Sequence, residues 1–172
     1  MGVPAADKSF EDKEVKIFSG NFELKAPSDD DEYYYFEGYA STFGNVDRHR
    51  HVIVKGAFTK SLQTFMPKLV NQHQMWTPIG RIDTAYEDEH GLYVKGRMPK
   101  DNTDARNVAS LMKMGALDSF SIGFNTLDKE ERDGIRYIKE IALWEVSIVT
   151  LPANPNARIT AVKSMNINDV KN

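Results

Sequence analysis

Two apolar, strand-like runs late in the chain each hold one polar residue out of keeping with its neighbours. Ser121 lies in Phe120–Ser121–Ile122–Gly123–Phe124, and Glu145 lies in Leu143–Trp144–Glu145–Val146–Ser147–Ile148–Val149. A carboxylate in so apolar a run is costly unless it is partnered. A hydroxyl, an imidazole and a carboxylate joined in series have a defined chemistry. The imidazole takes the hydroxyl proton, and the carboxylate orients the imidazole and stabilises its cation. A serine, a glutamate and one histidine upstream therefore point to a serine hydrolase.

The base has four candidates. His49 and His51 stand among Asp47, Arg48 and Arg50, and two arginines there favour solvent and hold down a base's proton affinity. His90 follows Glu87–Asp88–Glu89 and precedes Gly91, a composition suited to a hairpin tip. His73 alone follows an apolar run, Lys68 to Gln72, and ranks first. The competing use of Asp47, His49 and His51 is a metal site, since i, i+2 spacing on a strand puts both rings on one face. Nothing else in the sequence ties a further ligand to them. For Ser121 the bland alternative is a solvent-facing strand serine, and for Glu145 an ion pair with a nearby lysine or arginine.

The elements that must position these groups are short strands with two helices. Strand patterns cover 15–25, 33–41, 69–73, 79–86 and 92–98, with a turn near Gly20–Asn21 and an acidic loop over 26–32. Phe58, Leu62 and Phe65 have helical spacing within 56–65. The spacing predicts a second helix over 103–114, with Thr103 as N-cap, Gly115 as its stop, and Ala105, Val108, Ala109 and Met112 as its apolar face. Two long strands follow, meeting near Glu130–Gly134 and ending at Pro152–Ala153–Asn154–Pro155. In the first, alternation sends Phe120, Ile122 and Phe124 one way and Ser119, Ser121, Gly123 and Asn125 the other. Glu145 is expected to share a face with Leu143, Ser147 and Val149. A three-residue loop at Arg132–Asp133–Gly134 would set Glu131 opposite Ile135 and Ser121 opposite Glu145, and a single bulge would break that register. Backbone N–H groups near Gly115–Ala116 are a candidate oxyanion hole. The strand-rich order lacks a βαβ rhythm and predicts an α+β fold, a mostly antiparallel β-barrel with helices packed outside.

Bulk properties exclude several classes. The 172 residues fit one domain, and a net charge of −3 is no nucleic-acid footprint. The absence of cysteine removes thiol catalysis, disulfides and cysteine-ligated zinc. No apolar run approaches the ~20 residues of a membrane helix, and the start, MGVPAADKSF, does not read as a secretory signal. Neither a cofactor, a metal, a nucleic acid nor a membrane is expected. The expected domain division is a flexible or partly stranded N-terminal segment over 1–32, a barrel over 33–163 and a tail over 164–172.

An ordered set of motifs resembles the prohead, or capsid maturation, proteases of tailed phages. It runs Gly38–Tyr39–Ala40–Ser41 with Phe43 and Asn45–Val46–Asp47, then Gly56–Ala57–Phe58 and Gln72–His73. Pro78–Ile79–Gly80, Gly91–Leu92–Tyr93–Val94–Lys95–Gly96, Gly115–Ala116–Leu117, Ser121–Ile122–Gly123–Phe124, Leu143–Trp144–Glu145–Val146–Ser147 and Pro152–Ala153–Asn154–Pro155 complete it, over about residues 34 to 163. The resemblance implies a fold like that of the herpesvirus assembly proteases, a barrel ringed by helices, and serine endopeptidase activity. It assigns His73, Ser121 and Glu145 as the active residues. It further implies the scaffolding segment of the major capsid protein as substrate and partner, autocleavage and a possible oligomer, and action inside the assembling procapsid in the host cytoplasm. A catalytically silent scaffold or interaction protein of the procapsid is the alternative. The chain departs from the family pattern at Arg50–His51, where Gly-Asp is common, and at Gln74, where an acidic residue or asparagine usually follows the histidine.

Overall fold

Long alternating strands carry the fold, and one short hairpin among them sets up the site. The computed structural model describes residues 14–18, 32–152, 159 and 162–163, with side chains described for 32–152 and 159. The predicted turn at Gly20–Asn21, the acidic loop over 26–31, Ala153–Asn154–Pro155 and the tail beyond 163 lie outside the described residues. In chain order the elements are β1 (Glu14–Phe18), β2 (Tyr33–Thr42), β3 (His51–Ile53), α1 (Thr59–Thr64), β4 (Lys68–Asn71), β5 (Gln74–Glu87), β6 (Gly91–Pro99), α2 (Thr103–Lys113), β7 (Ser119–Arg132), β8 (Ile135–Val149) and β9 (Val162–Lys163).

The strands form one sheet in the order β1-β7-β8-β4-β5-β6-β2-β9, with β3 also pairing β8. Most neighbours are antiparallel, but β3 and β4 both run parallel to β8, against Arg136–Ile138 and Glu145–Ile148 respectively. The order is a path with two ends rather than a closed ring among the described residues. The sheet curls into a half-barrel, so that β2 and β7, far apart in strand order, meet inside: the Phe36 and Phe120 rings are 5.8 Å apart. Phe58, Leu69, Ile79, Leu92, Met98 and Ile122 fill the concave side. The described residues hold two helices, α1 against β5 and β8, and α2 against β5, β6 and β9.

Local chemistry explains the helices. α2 is capped by Asn102, whose side chain accepts the Ala105 N–H at 2.8 Å, so the cap stands one residue before the expected Thr103. The residue before a helix stays extended while its side chain turns back onto the open N–H groups, and asparagine does this here. Ala105, Val108, Ala109 and Met112 are buried, as the spacing predicts. Gly115, at φ +78°, stops the helix; its N–H reaches the Met112 carbonyl at 3.1 Å and the Ala116 N–H reaches Leu111 at 2.9 Å. Near α1, the Glu87 carboxylate accepts the Phe58 N–H at 2.8 Å and the Thr59 hydroxyl at 2.9 Å, taking the part of a cap from another strand.

The β7–β8 connection is shorter than expected. Arg132 pairs with Ile135 across a two-residue turn, Asp133 at φ +53° and Gly134 at φ +70°. Positive φ at both central residues is the turn that matches strand twist, and Asp-Gly suits it. Glu131 therefore faces Arg136, not Ile135.

Candidate active site

The register slips again at the buried end of the same hairpin, and that slip builds the site. Phe124 pairs with Leu143 but Gly123 pairs with Glu145, leaving Trp144 as an extra residue in β8. Before this bulge the odd-numbered Ile141 and Leu143 enter the core; after it the even-numbered Val146 and Ile148 do. A bulge of one residue exchanges the two faces of a strand. Glu145 and Ser147 are thereby turned away from the face holding Leu143 and onto the face of Gly123 and Ser121. Ser121 stands opposite Ser147 rather than Glu145, correcting the register expected from sequence. It still shares a face with Glu145, two pairs along.

Gly123 explains why glycine stands there. A Cβ built on it would fall 2.6 Å from the Glu145 Cγ and 2.8 Å from its Cδ. The carboxylate lies across the bare Cα, in space that any side chain would take.

His73 comes from the adjacent strand pair, from the turn rather than the expected strand end. β4 stops at Asn71, which pairs with Gln74, and Gln72 and His73 form the turn with φ +49° and +61°. Neither is the glycine or asparagine that such a turn prefers, and left-handed backbone at other residues costs of order 1–3 kcal/mol each unless the surroundings enforce it. Here β8 enforces it. The Gln72 N–H donates to the Ile148 carbonyl at 3.0 Å, the Gln72 amide donates to the Thr150 hydroxyl at 2.9 Å, and the His73 N–H donates to the Ser147 hydroxyl at 3.1 Å.

The three expected residues meet. His73 Nε2 is hydrogen-bonded to the Ser121 hydroxyl, and His73 Nδ1 lies 2.6 Å from Glu145 Oε1. Ser121 is fully buried, Glu145 is 3% exposed, and the imidazole edge is 23% exposed. With the proton on Nδ1 shared toward the carboxylate, the Nε2 lone pair faces the serine hydroxyl, the arrangement in which an imidazole can remove that proton. Glu145 has no lysine or arginine partner among the described residues. Its second oxygen, Oε2, accepts from the Ser147 hydroxyl at 2.5 Å.

The other candidates lie elsewhere. His49 is exposed, His51 opens β3, and Asp47 Oδ1 accepts their main-chain N–H groups at 2.8 and 2.9 Å, so that carboxylate holds a turn. No group of three or more His, Cys, Asp or Glu able to hold a metal is found among the described residues. His90 is exposed at a hairpin tip, where Asp88 accepts its N–H at 2.7 Å. The expected oxyanion donors at Gly115–Ala116 are already spent closing α2. No helix among the described residues is long and apolar enough to cross a membrane. Sequence reading missed the contacts of Ser147 and Gly123. Ser147 carries a signal in hindsight, two residues from Glu145 on a strand where alternate side chains share a face.

Comparison with known proteins identifies the family of the chain. Residues 21–172 match the family model described as caudovirus prohead serine protease. The prohead protease of Enterobacteria phage HK97 is 37% identical over 175 aligned positions, covering 95% of this chain and 73% of that protein. The prohead protease of Escherichia phage T5 is 36% identical over 138, covering 77% of this chain and 64% of that protein. The solved structure of the bacteriophage T4 capsid assembly protease, gp21, shares the fold, with a TM-score of 0.62 at 14% identity over 81% of this chain and 98% of that one. With a family model spanning nearly all of it and a relative matched along most of both lengths, this chain is a serine protease belonging to the caudovirus prohead family.

Proposed function

We propose that Ser121 is the nucleophile, His73 the general base and then general acid, and Glu145 the group that orients His73. Ser121 Oγ attacks the scissile carbonyl as His73 Nε2 takes the hydroxyl proton. The tetrahedral intermediate collapses, and the same nitrogen returns the proton to the departing amine. Water then repeats the sequence on the acyl-enzyme. Glu145 keeps the Nδ1 proton in place and balances the imidazolium formed in each half-reaction. The observation that carries this reading is the continuous hydrogen-bonded series from Ser121 through His73 to Glu145.

The substrate fitting this family is the scaffolding segment of the phage major capsid protein, cut inside the closed procapsid in the host cytoplasm before DNA enters. The protease itself is a second substrate. Relatives named prohead protease, and a fold shared with a capsid assembly protease, support this choice. Co-expression of the full chain with its phage's major capsid protein tests it. Mass spectrometry should find truncated capsid protein and truncated protease with the wild type, and neither with Ser121→Ala. Unchanged cutting by Ser121→Ala would remove Ser121 from the mechanism. A protein that neither cuts nor reacts with a fluorophosphonate in assembled shells would be the silent scaffold instead.

A further inference from the structure

Three side chains make the proposed relay, but a fourth holds two of its parts at once. Ser147 is fully buried, stands opposite Ser121 on β7, and lies beside Val70 on β4. Its hydroxyl donates to Glu145 Oε2 at 2.5 Å and accepts the main-chain N–H of His73 at 3.1 Å. A serine hydroxyl has one proton to give and lone pairs to receive, and both kinds of capacity are used here on the two residues that must stay in register.

We propose that Ser147 is a positioning residue for the protease, a clamp tying the carboxylate and the backbone of the base to one fixed point on β8. The proposal rests on the reading of Ser121, His73 and Glu145 as the relay. Two physical needs support it. First, Glu145 is buried and has two oxygens; one faces the imidazole, and the other requires a donor of its own or it is stranded. Ser147 supplies that donor and with it fixes the plane of the carboxylate. Secondly, His73 sits at positive φ in a turn whose sequence does not favour it. An external acceptor for its N–H helps hold that conformation, and hence the direction in which the ring leaves the backbone. A hydroxyl in this place sets both ends of the His73–Glu145 bond from one atom, and errors of 1 Å in such a relay cost about 100-fold in rate.

Two variants of the full chain test the clamp. Ser147→Ala removes donor and acceptor. Ser147→Cys nearly keeps the volume while offering only a weak donor and a weak acceptor, so it serves if the alanine variant folds poorly. The probe is a fluorophosphonate, whose phosphorus is attacked by the serine oxygen as fluoride leaves. Both variants should lose labelling rate at saturation by roughly 10- to 100-fold with the half-saturating concentration unchanged. In parallel, the downfield proton resonance of the His73 Nδ1–H should shift or broaden in both variants, which reports on the bond to Glu145 without any turnover. A folded variant that labels at the wild-type rate, or one whose loss lies wholly in the half-saturating concentration, overturns the clamp. So does a His73 resonance identical to that of the wild type. Ser121→Ala, run beside them, separates the two levels: labelling of that variant sinks the relay itself, whereas its silence beside fully active Ser147 variants sinks only the clamp.

Discussion

The two ends of the β7–β8 hairpin are made of the same two strands and differ in nearly everything else. At the tip, residues 127–132 of β7 are exposed, and charges meet in water: Lys139 Nζ lies 2.8 Å from Glu130 Oε2, and Arg132 lies over the Tyr137 ring. At the root, residues 119–124 of β7 are buried, and the polar groups there are Ser119, which donates to Asp118, together with Ser121, Glu145 and Ser147, each bonded to another of the three or to His73. The tip closes with a favoured Asp-Gly turn, and below it the pairing slips at Lys139 in one strand and at Leu127 in the other, two shifts that offset each other; at the root the extra residue Trp144 has no counterpart in β7. Register slips cancel along the exposed part of the hairpin and persist where a carboxylate must change faces. An exposed ion pair is screened by water and salt and contributes little; a buried carboxylate without its partners has no such relief.

Substitutions can break or sharpen that contrast. Ser121→Ala, at the root, should give a folded protein with cleavage reduced on the order of a millionfold, read as capsid protein truncation or fluorophosphonate labelling. A residual rate within tenfold of the wild type would show that chemistry lies elsewhere. Glu145→Gln should lower the rate by about 10⁴-fold. A full rate combined with a lower melting temperature would make Glu145 a structural partner of His73 and nothing more. Gly123→Ala places a methyl group where Glu145 now lies, and overpacking of this kind costs about 1–3 kcal/mol. It should also slow labelling by roughly 100-fold, since the carboxylate must move. Retained rate and retained melting temperature would mean that Glu145 has another place to go.

The smallest effect belongs to the tip. The hydrogen bond and charge of Lys139, with Arg132 nearby, hold the Glu130 carboxyl below its usual range. A carboxyl with a lowered folded-state pKa lends stability that is present above the ordinary carboxylate range and fades as the pH falls through the lowered value. Lys139→Ala should therefore lower the melting temperature slightly at neutral pH, less in high salt, and not at all in strong acid. Activity should be untouched. A drop in cleavage rate would show that tip and root are coupled.

Much of the fold is legible in the sequence because it depends on local periodicity. The apolar face of α2, the stop at Gly115 and the two long final strands follow from side-chain spacing and from the residues that turns and caps require. The candidate site was legible for a different reason. Ser121, Glu145 and His73 stood out as polar groups in apolar settings, and the ordered motifs carried the family with them. Registers were not legible. Moving the hairpin loop by one residue, or inserting one at Trp144, changes which residues face each other while leaving the alternation of each strand almost intact. The turn at Gln72–His73 was equally hidden, because its positive φ values are enforced by bonds from β8 and not by the residues themselves.

By itself, then, the sequence determined which chemical groups were available and which segments would extend or coil, since both depend on residue type and near neighbours. Only the tertiary structure decided that Glu145 faces Ser121's side of the sheet, that Gly123 leaves room for it, and that Ser147 touches both Glu145 and His73. Those outcomes turn on the bulge at Trp144 and on hydrogen bonds between residues as much as 74 positions apart. The free energy of such contacts is set by packing in three dimensions, and no window along the chain contains both partners.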